Sequence, residues 1–258
     1  MRACIISIGN ELLRGKTVNT NASEFGMKLT LCGYDVVRGL TVMDDSDEIA
    51  WALEVGMESA DLVLTTGGLG PTFDDMTVES VSKALGLSLT ADPVTSERLR
   101  KRYAKLGLEP TPERLKMAMI PEGSRALQNP VGAAPGVFLK VHNKMIIILP
   151  GVPEEANAIL DSIMDEIRIR GVEYYSESRY LKGVMESSLV RIVNTVMKEM
   201  DSKVYIKSHP RHSETGNPAV ELEILARSDT KQHAMDLVKS AFSMVLEQLN
   251  EGKNKGQE

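Results

Sequence analysis

A chain of 258 residues with 42% hydrophobic and 26% charged content is long enough to bury one large core or two ordinary ones. Its net charge of −6 argues against nucleic acid as the main partner, and its apolar runs are too short to span a membrane. Cys4 and Cys32 show neither metal-ligand spacing nor a disulfide pattern, so we expect two packing residues in a protein of the reducing cytoplasm.

Strands and helices are predicted to alternate over the first 170 residues. Hydrophobic runs bounded by turn residues predict strands at 2–9, 34–42, 61–68, 136–141 and 144–151, the last two forming a β-hairpin. Helical periodicity and capping residues predict helices at 20–33, 45–60, 74–86, 95–107, 111–119 and 152–171. The alternation predicts an α/β fold, a three-layer αβα sandwich with a mostly parallel sheet. The basic run at 98–105 is interpreted as a solvated helix face.

The pattern changes near Gly171, which we interpret as the boundary between a domain at 1–170 and a smaller one at 171–250. In the second domain, strand, helix, strand, strand and helix are predicted at 174–184, 187–200, 203–208, 218–227 and 231–249. This order is typical of a small α+β domain of split-βαβ type. Residues 251–258 are polar and predicted to be a disordered tail. The apolar residues of the last strand and helix exceed what so small a domain needs to cover, which predicts a homodimer.

The segment TTGGLGPTFDDMT, residues 65–77, follows a predicted strand of the parallel sheet. Ligands of such sheets bind beyond the carboxyl ends of the strands. Glycines allow the backbone to approach a ligand closely, and free amides near a helix start attract anions. The segment therefore predicts a phosphate-binding loop, with donors from Thr66, Gly67, Gly68, Gly70 and Thr72.

Two adjacent acids, Asp74 and Asp75, follow this loop and would repel a bare phosphate. Carboxylate oxygens are the ligands that Mg²⁺ and similar hard cations prefer, and such a cation can bridge to phosphate oxygens. Aspartate before a helix is also an ordinary N-terminal cap. The residues alone leave a metal site and a helix cap about equally open.

Four segments in this order resemble the signatures of the CinA family, the competence/damage-inducible proteins: ISIGNELLRGKTVNTN (6–21), residues 65–77, NPVGAAPGV (129–137) and LPGVPEE (149–155). The N-terminal domain of that family is similar to the molybdopterin-binding domains of molybdenum-cofactor biosynthesis. Residues 171–250 resemble its KH-type domain but lack a G-x-x-G loop. The chain ends before the deamidase domain of full-length bacterial members, so deamidase activity is not expected.

The resemblance implies a divalent-metal-dependent hydrolase that cleaves the pyrophosphate of ADP-ribose or a similar nucleotide. The implied cofactor is Mg²⁺, Mn²⁺ or Co²⁺, and a monovalent cation is left open as an addition. Two alternatives remain: a molybdopterin- or nucleotide-binding module with little turnover, and a molybdopterin adenylyltransferase. In each case the partner is a small nucleotide or pterin phosphate, and the relatives' association agrees with a homodimer.

The matching motifs carry further residues into the predicted site. Glu11 is a third candidate metal ligand beside Asp74 and Asp75, and Glu154 is a candidate catalytic residue that binds the metal or orients a water. For Glu154 and Glu155, a role that only complements the helix dipole is about equally open. Asn19 and Asn21 could bind base, ribose or phosphate, although plain helix capping is nearly as good an interpretation for one of them. The remaining candidates for binding the nucleotide are Gly9, Gly132, Pro135, Gly136 and Gly151.

Overall fold

The computed structural model describes residues 1–201, 203–212 and 218–255, and its chain divides into two compact units. Unit 1 comprises Met1–Thr30 and Tyr34–Arg168, and unit 2 comprises Leu31–Gly33 and Ile169–Glu258. Within the described residues, no helix combines the length and the apolar character that crossing a membrane requires.

Unit 1 is built on a six-stranded sheet. Its strands and those of a small two-stranded sheet are β1 Arg2–Ile8, β2 Asp35–Val42, β3 Leu62–Thr66, β4 Leu89–Ala91, β5 Met119–Pro121, β6 Arg125–Leu127, β7 Gly136–Val141 and β8 Lys144–Leu149. Its helices are α1 Asn10–Leu13, α2 Thr20–Leu31, α3 Ser46–Ser59, α4 Thr77–Ala84, α5 Pro93–Lys105, α6 Pro112–Lys116 and α7 Pro153–Ile167. The large sheet has the order β2-β1-β3-β8-β7-β6. The pairs from β2 to β8 are parallel, and β7 pairs antiparallel with both β8 and β6.

Helices cover both faces of this sheet, because both faces of its central strands are apolar. Residues 3–8 of β1 are all buried. On one face, Gly56 of α3 packs against Val63 and Cys4, and on the other, Gly26 of α2 lies over Ile5. The predicted α/β fold with a mostly parallel, doubly covered sheet is confirmed.

The structure differs from the predicted elements mainly where segments are short. The three-residue strands β4, β5 and β6 and the four-residue helix α1 were not predicted, since so few residues show no periodicity. The helix predicted at 111–119 ends at Lys116, because Met119 pairs with Ala91 in the small sheet. The helix predicted from residue 74 begins only at Thr77, which matters for the site below.

Unit 2 contains β9 Glu173–Lys182, α8 Glu186–Glu199, β10 Val204–His212, β11 Pro218–Ser228 and α9 Lys231–Lys255, in the predicted order. Its strands form an antiparallel sheet of order β10-β11-β9. Helix α9 extends to Lys255, into the segment 251–258 that the sequence predicts to be a disordered tail, and residues 256–258 lie outside the described residues.

The apolar residues that predicted a homodimer are covered within the chain itself. Leu222 and Ile224 of β11 and Val238 and Phe242 of α9 belong to one buried cluster. A second subunit is therefore not needed to cover them. The homodimer stays a prediction, without the reason that the sequence offered for it.

Candidate functional site

The candidate site lies where the strand order of unit 1 reverses. Strand β2 pairs with one edge of β1 and β3 with the other, so the chain leaves the carboxyl ends of β1 and β3 in diverging directions. Such a point opens a crevice in a parallel sheet. A cleft of about 420 Å³ occupies it, lined after β1 by Gly9 and Glu11, after β2 by Asp44, after β3 by residues 67–72 with Asp74 and Asp75, and after β8 by residues 150–152 and Glu155.

A larger groove of about 1000 Å³ lies elsewhere, between α5 and residues 129–132. It contains no strand end and none of the carboxylates described below. We assign the functional site to the smaller cleft because strand ends, glycines and ionisable groups converge there.

Close backbone approaches explain why the loop after β3 consists of glycines. Gly67 and Gly68 have φ of 111° and 66°, a region that residues with a Cβ rarely adopt. A Cβ at Gly67 would lie 2.0 Å from the carbonyl oxygen of Ile8, so the loop passes directly against the end of β1. The Gly67 amide donates to the Leu149 carbonyl, at 3.1 Å, and thereby fixes the loop to β8.

The middle of this loop presents unused donors. Among the described residues, the amides of Gly68, Leu69 and Gly70 donate to no protein acceptor. All three residues line the cleft. Unpaired amides at the carboxyl end of a strand are suited to phosphate oxygens.

Thr77, the first residue of α4, holds the loop in place and was not predicted as a site residue. Its side chain is fully buried, and its hydroxyl donates to the Gly67 carbonyl at 2.8 Å. Its amide donates to the Gly68 carbonyl at 3.2 Å. A Cβ at Gly68 would lie 2.3 Å from the Thr77 hydroxyl oxygen, so loop and helix start fit together without spare room.

The paired acids are not helix caps. Helix α4 begins at Thr77, with Met76 in the capping position and no side-chain cap bond. The Thr72 hydroxyl instead donates to Asp74, at 2.6 Å, and to Asp75, and the Thr72 amide donates to Asp75 at 2.9 Å. This hydroxyl lowers the pKa of Asp74. Both acids are thus hydrogen-bonded to Thr72 within the loop, and both residues line the cleft.

Asp44 is a fourth carboxylate at this edge and was missed in the sequence. It follows β2 and accepts a hydrogen bond from the Asn10 amide at 2.8 Å. Burial raises its pKa most, and the charges of Glu11, Asp74 and Asp75 raise it further against that hydrogen bond. The four carboxylates are therefore close enough to repel one another.

These oxygens suit a hard divalent cation by donor type and by charge. Within the part of the chain that the structure describes, however, no three His, Cys, Asp or Glu side chains stand together at the spacing of a metal site. The predicted ligands Glu11, Asp74 and Asp75 therefore line the same cleft, but their side chains are not at the spacing of a metal site. These side chains would have to move closer together to bind a cation.

Asn19 and Asn21 have structural partners. The Asn19 side-chain oxygen accepts from the Ala22 amide at 3.2 Å, as a helix cap does. Asn21 is buried and donates to the Thr66 hydroxyl at 2.9 Å and to the Gly151 carbonyl at 3.0 Å. Asn21 thereby ties the end of β3 to the loop after β8, which forms one wall of the cleft.

Glu155, and not the predicted Glu154, lines the cleft. Glu154 is exposed on the first turn of α7. The Asn129 side chain donates to Glu155 at 2.6 Å, and a Cβ at Gly132 would lie 2.0 Å from the Glu155 carboxyl carbon. The segment 129–134 therefore lies directly on this carboxylate.

The other predicted residues of the third motif pack near the cleft without lining it. Pro135 borders a small neighbouring cavity beneath Gly68 and Gly70. Gly136 is buried in β7, where a Cβ would lie 2.9 Å from the Ile159 side chain. The basic run at 98–105 is only partly a solvated face, because Arg98 donates to the Asn129 and Ala133 carbonyls and so holds segment 129–134.

Comparison with known proteins assigns the first unit. Residues 4–169 match the family described as a probable molybdopterin-binding domain. The chain belongs to this family. Similar proteins include one from Caldivirga maquilingensis, 47% identical over 246 residues that cover 95% of this chain and 96% of that protein, and one from Thermoplasma acidophilum, 50% identical over 222 residues that cover 86% of each.

A crystal structure described as the protein CinA with unknown function, from T. acidophilum, is 51% identical to this member of the molybdopterin-binding family. It matches with a TM-score of 0.61 over 64% of this chain and 97% of that chain. The predicted resemblance to CinA is thus supported for the molybdopterin-binding-type domain. The KH-type assignment of 171–250 stays a prediction, and the comparisons give no support for hydrolysis of ADP-ribose.

Proposed function

We propose that unit 1 binds the phosphate of a pterin phosphate or nucleotide in the switch-point cleft, as a binding module of the molybdopterin class. The observation that carries this proposal is the row of free amides at Gly68, Leu69 and Gly70, held by Thr77 and fixed to β8. Three free amides on residues that line one cleft can bind an anion through directed hydrogen bonds, and they require no positively charged side chain.

The phosphate would bind together with a cation. Glu11, Asp44, Asp74 and Asp75 line the same cleft and would repel a bare phosphate. A divalent cation bound with the phosphate removes this repulsion, and these carboxylates are the residues that would hold it. When bound, the metal supplies charge neutralisation at the phosphate. The chain's own contribution is to orient the phosphate on the amides and to keep the acids along one wall.

The carboxylate cluster favours a second candidate function, the metal-dependent cleavage of a nucleotide pyrophosphate such as that of ADP-ribose. The same loop amides would stabilise charge that develops on the phosphate. Transfer of an adenylyl group to molybdopterin would use the same cleft with a pterin as acceptor. Product analysis separates the three functions, because binding alone gives no product and the two reactions give different ones.

The phosphate proposal is tested by calorimetry with 6-hydroxymethylpterin and its phosphate, each with and without Mg²⁺. We expect the phosphate ester to bind at least about tenfold more tightly, and only with Mg²⁺, since charged hydrogen bonds contribute about 1.5–3 kcal/mol each. In Gly70→Ala a Cβ would lie 2.4 Å from Asp75 Oδ2, and the preference should disappear. Gly86→Ala, a glycine with no atom near its Cβ position, is the control. Equal binding of both pterins by the wild type would overturn the proposal.

A further inference from the structure

The cleft has two chemically different ends. The charges that raise the pKa of Asp44 come from Glu11, Asp74 and Asp75, and Glu155 is not among them. Glu155 lines the cleft with its neighbour Val152 and with Ala133 and Ala134, which belong to the segment whose Gly132 packs on this carboxylate. Burial lowers the pKa of Arg98 against the charge of Glu155, which raises it, so this guanidinium lies within electrostatic reach of the carboxylate. A carboxylate among small and apolar side chains and one guanidinium can accept from a flat ring that carries hydrogen-bond donors.

The Glu155 carboxylate is held in one position. The Asn129 amide nitrogen donates to its Oε2 at 2.6 Å, and Gly132 packs against it without room for a Cβ. Asn129 is itself fixed, because its oxygen accepts from the amides of Val131 and Gly132 at 3.0 and 2.7 Å, and its nitrogen also donates to the Ala134 carbonyl at 2.7 Å. At 2% exposure Asn129 has no freedom to turn away.

This arrangement leaves acceptor capacity for a ligand. A carboxylate has about four acceptor positions on two oxygens, and it has no donor. Asn129 occupies one position on Oε2, and among the described residues no other donor contacts this carboxylate, so its remaining positions are left for a ligand. The natural complement is a ring edge with two adjacent N–H donors.

We propose that Glu155 is the residue that reads the 2-amino-4-oxopyrimidine edge of the ligand, and that Asn129 is its positioning residue. This edge presents an amino group beside a ring N–H, and it occurs in both pterins and guanine. The inference rests on the proposed function, since the phosphate of the same ligand would lie on the amides of Gly68, Leu69 and Gly70. It adds a requirement for the donor edge, which phosphate binding alone does not impose.

The test compares GMP with IMP, which lacks only the 2-amino group, by calorimetry in Mg²⁺. We expect the wild type to prefer GMP by about tenfold or more, the effect of a hydrogen bond to a charged group. Glu155→Gln keeps an oxygen that can accept from Asn129 but presents an amide N–H₂ to the ligand, so the preference for GMP should vanish, with GMP losing more affinity than IMP, which carries only the ring N–H donor. Glu154→Gln makes the same change in charge on the exposed neighbour and should leave the preference intact.

Asn129→Asp tests the positioning role. It removes the donor to Glu155 and to the Ala134 carbonyl and places a second carboxylate beside Glu155, while keeping the acceptor for the Val131 and Gly132 amides. We expect a larger loss of affinity for GMP than for IMP, a selective effect that general loosening of the fold would not produce. Equal loss of affinity for both nucleotides would overturn the positioning role.

The outcomes separate this inference from the proposed function. If GMP and IMP bind equally in a Mg²⁺-dependent manner, the phosphate proposal stands and the role of Glu155 is refuted. If 6-hydroxymethylpterin phosphate binds in a manner that depends on Glu155 and GMP does not bind, the inference holds with the pterin as its source. If no phosphate-bearing probe binds the wild type, both proposals fall.

Discussion

Gly68→Ala offers the sharpest test of how the phosphate loop is built. Gly68 has φ of 66°, and Gly86, in an open turn after α4, has φ of 67°. Alanine at either position carries the same left-handed backbone cost of about 1–2 kcal/mol. Only at Gly68 would the new Cβ meet another atom, the Thr77 hydroxyl oxygen at 2.3 Å. The difference between the two variants therefore isolates the contact between loop and helix.

The expected size of this difference follows from the bond that must break. To make room, the Thr77 hydroxyl must leave the Gly67 carbonyl, to which it donates at 2.8 Å in a fully buried setting. Losing a buried hydrogen bond costs about 1–3 kcal/mol. Gly68→Ala should therefore lower the free energy of unfolding by about 3 kcal/mol and Gly86→Ala by about 1. At about 2–4 °C per kcal/mol, the Tm values should differ by roughly 4–8 °C.

Urea unfolding followed by tryptophan fluorescence suits this test, because the single tryptophan, Trp51, lies on α3 of unit 1. A double-mutant cycle with Thr77→Ala completes it. In the Thr77→Ala background, Gly68→Ala should cost only the backbone strain, which gives a coupling energy of about 1–3 kcal/mol. Equal losses for Gly68→Ala and Gly86→Ala, or an additive cycle, would refute this account of the loop.

Three further predictions concern the carboxylates and the assembly. The raised pKa of Asp44 means that its ionised form destabilises the fold, so stability is lost as the pH rises through this pKa. Asp44→Asn should therefore raise the Tm at pH 7. The gain should vanish below about pH 3.8, the ordinary pKa of an aspartate, because the wild-type side chain is then neutral as well. Under the second candidate function, in which unit 1 hydrolyses ADP-ribose, Asp75→Asn should reduce Mg²⁺-dependent turnover by about a hundredfold without unfolding unit 1, whereas the exposed Glu154→Gln should retain it; wild-type turnover in Asp75→Asn would remove Asp75 from the mechanism. Light scattering should give the dimer mass, and a monomer mass at tens of micromolar would refute the predicted homodimer.

The long elements of unit 1 were predictable because their local patterns agree with the tertiary fold. The apolar run of β1 and the capping aspartate of α3 are of this kind, since Asp45 accepts from the amides of Asp47 and Glu48. The short strands β4 to β6 were not predictable, because three residues carry no period and their pairing depends on partners far along the chain. The start of α4 was misplaced because Thr72 engages both aspartates, which keeps them in the loop.

The glycine loop of the candidate site was predictable for a similar reason, since a cluster of glycines directly after a strand indicates a close approach of the backbone. The contacts that hold the loop were not. Thr77 reaches back ten residues to Gly67, and Asn129 reaches Glu155 across 26 residues. Such contacts between distant residues leave no periodic pattern in the sequence. Asp44 is an intermediate case, because it follows a predicted strand of the same parallel sheet and so had to lie at the same edge.

The choice between Glu154 and Glu155 could have been made from the sequence by following the phase of α7. Its buried stripe contains Ala156, Ile159, Leu160, Ile163 and Ile167. At about 100° per residue, this stripe is centred close to the direction of Ala156. Glu155 then lies about 100° from its centre, at the border of the packed face, and Glu154 lies about 160° away, pointing to solvent. Chemical type cannot tell which of two neighbouring glutamates at a helix start lines the cleft, but helix geometry can. The same phase shows why Glu154→Gln is a fair control for Glu155→Gln: both carboxylates belong to the first turn of α7, and only one of them faces the cleft.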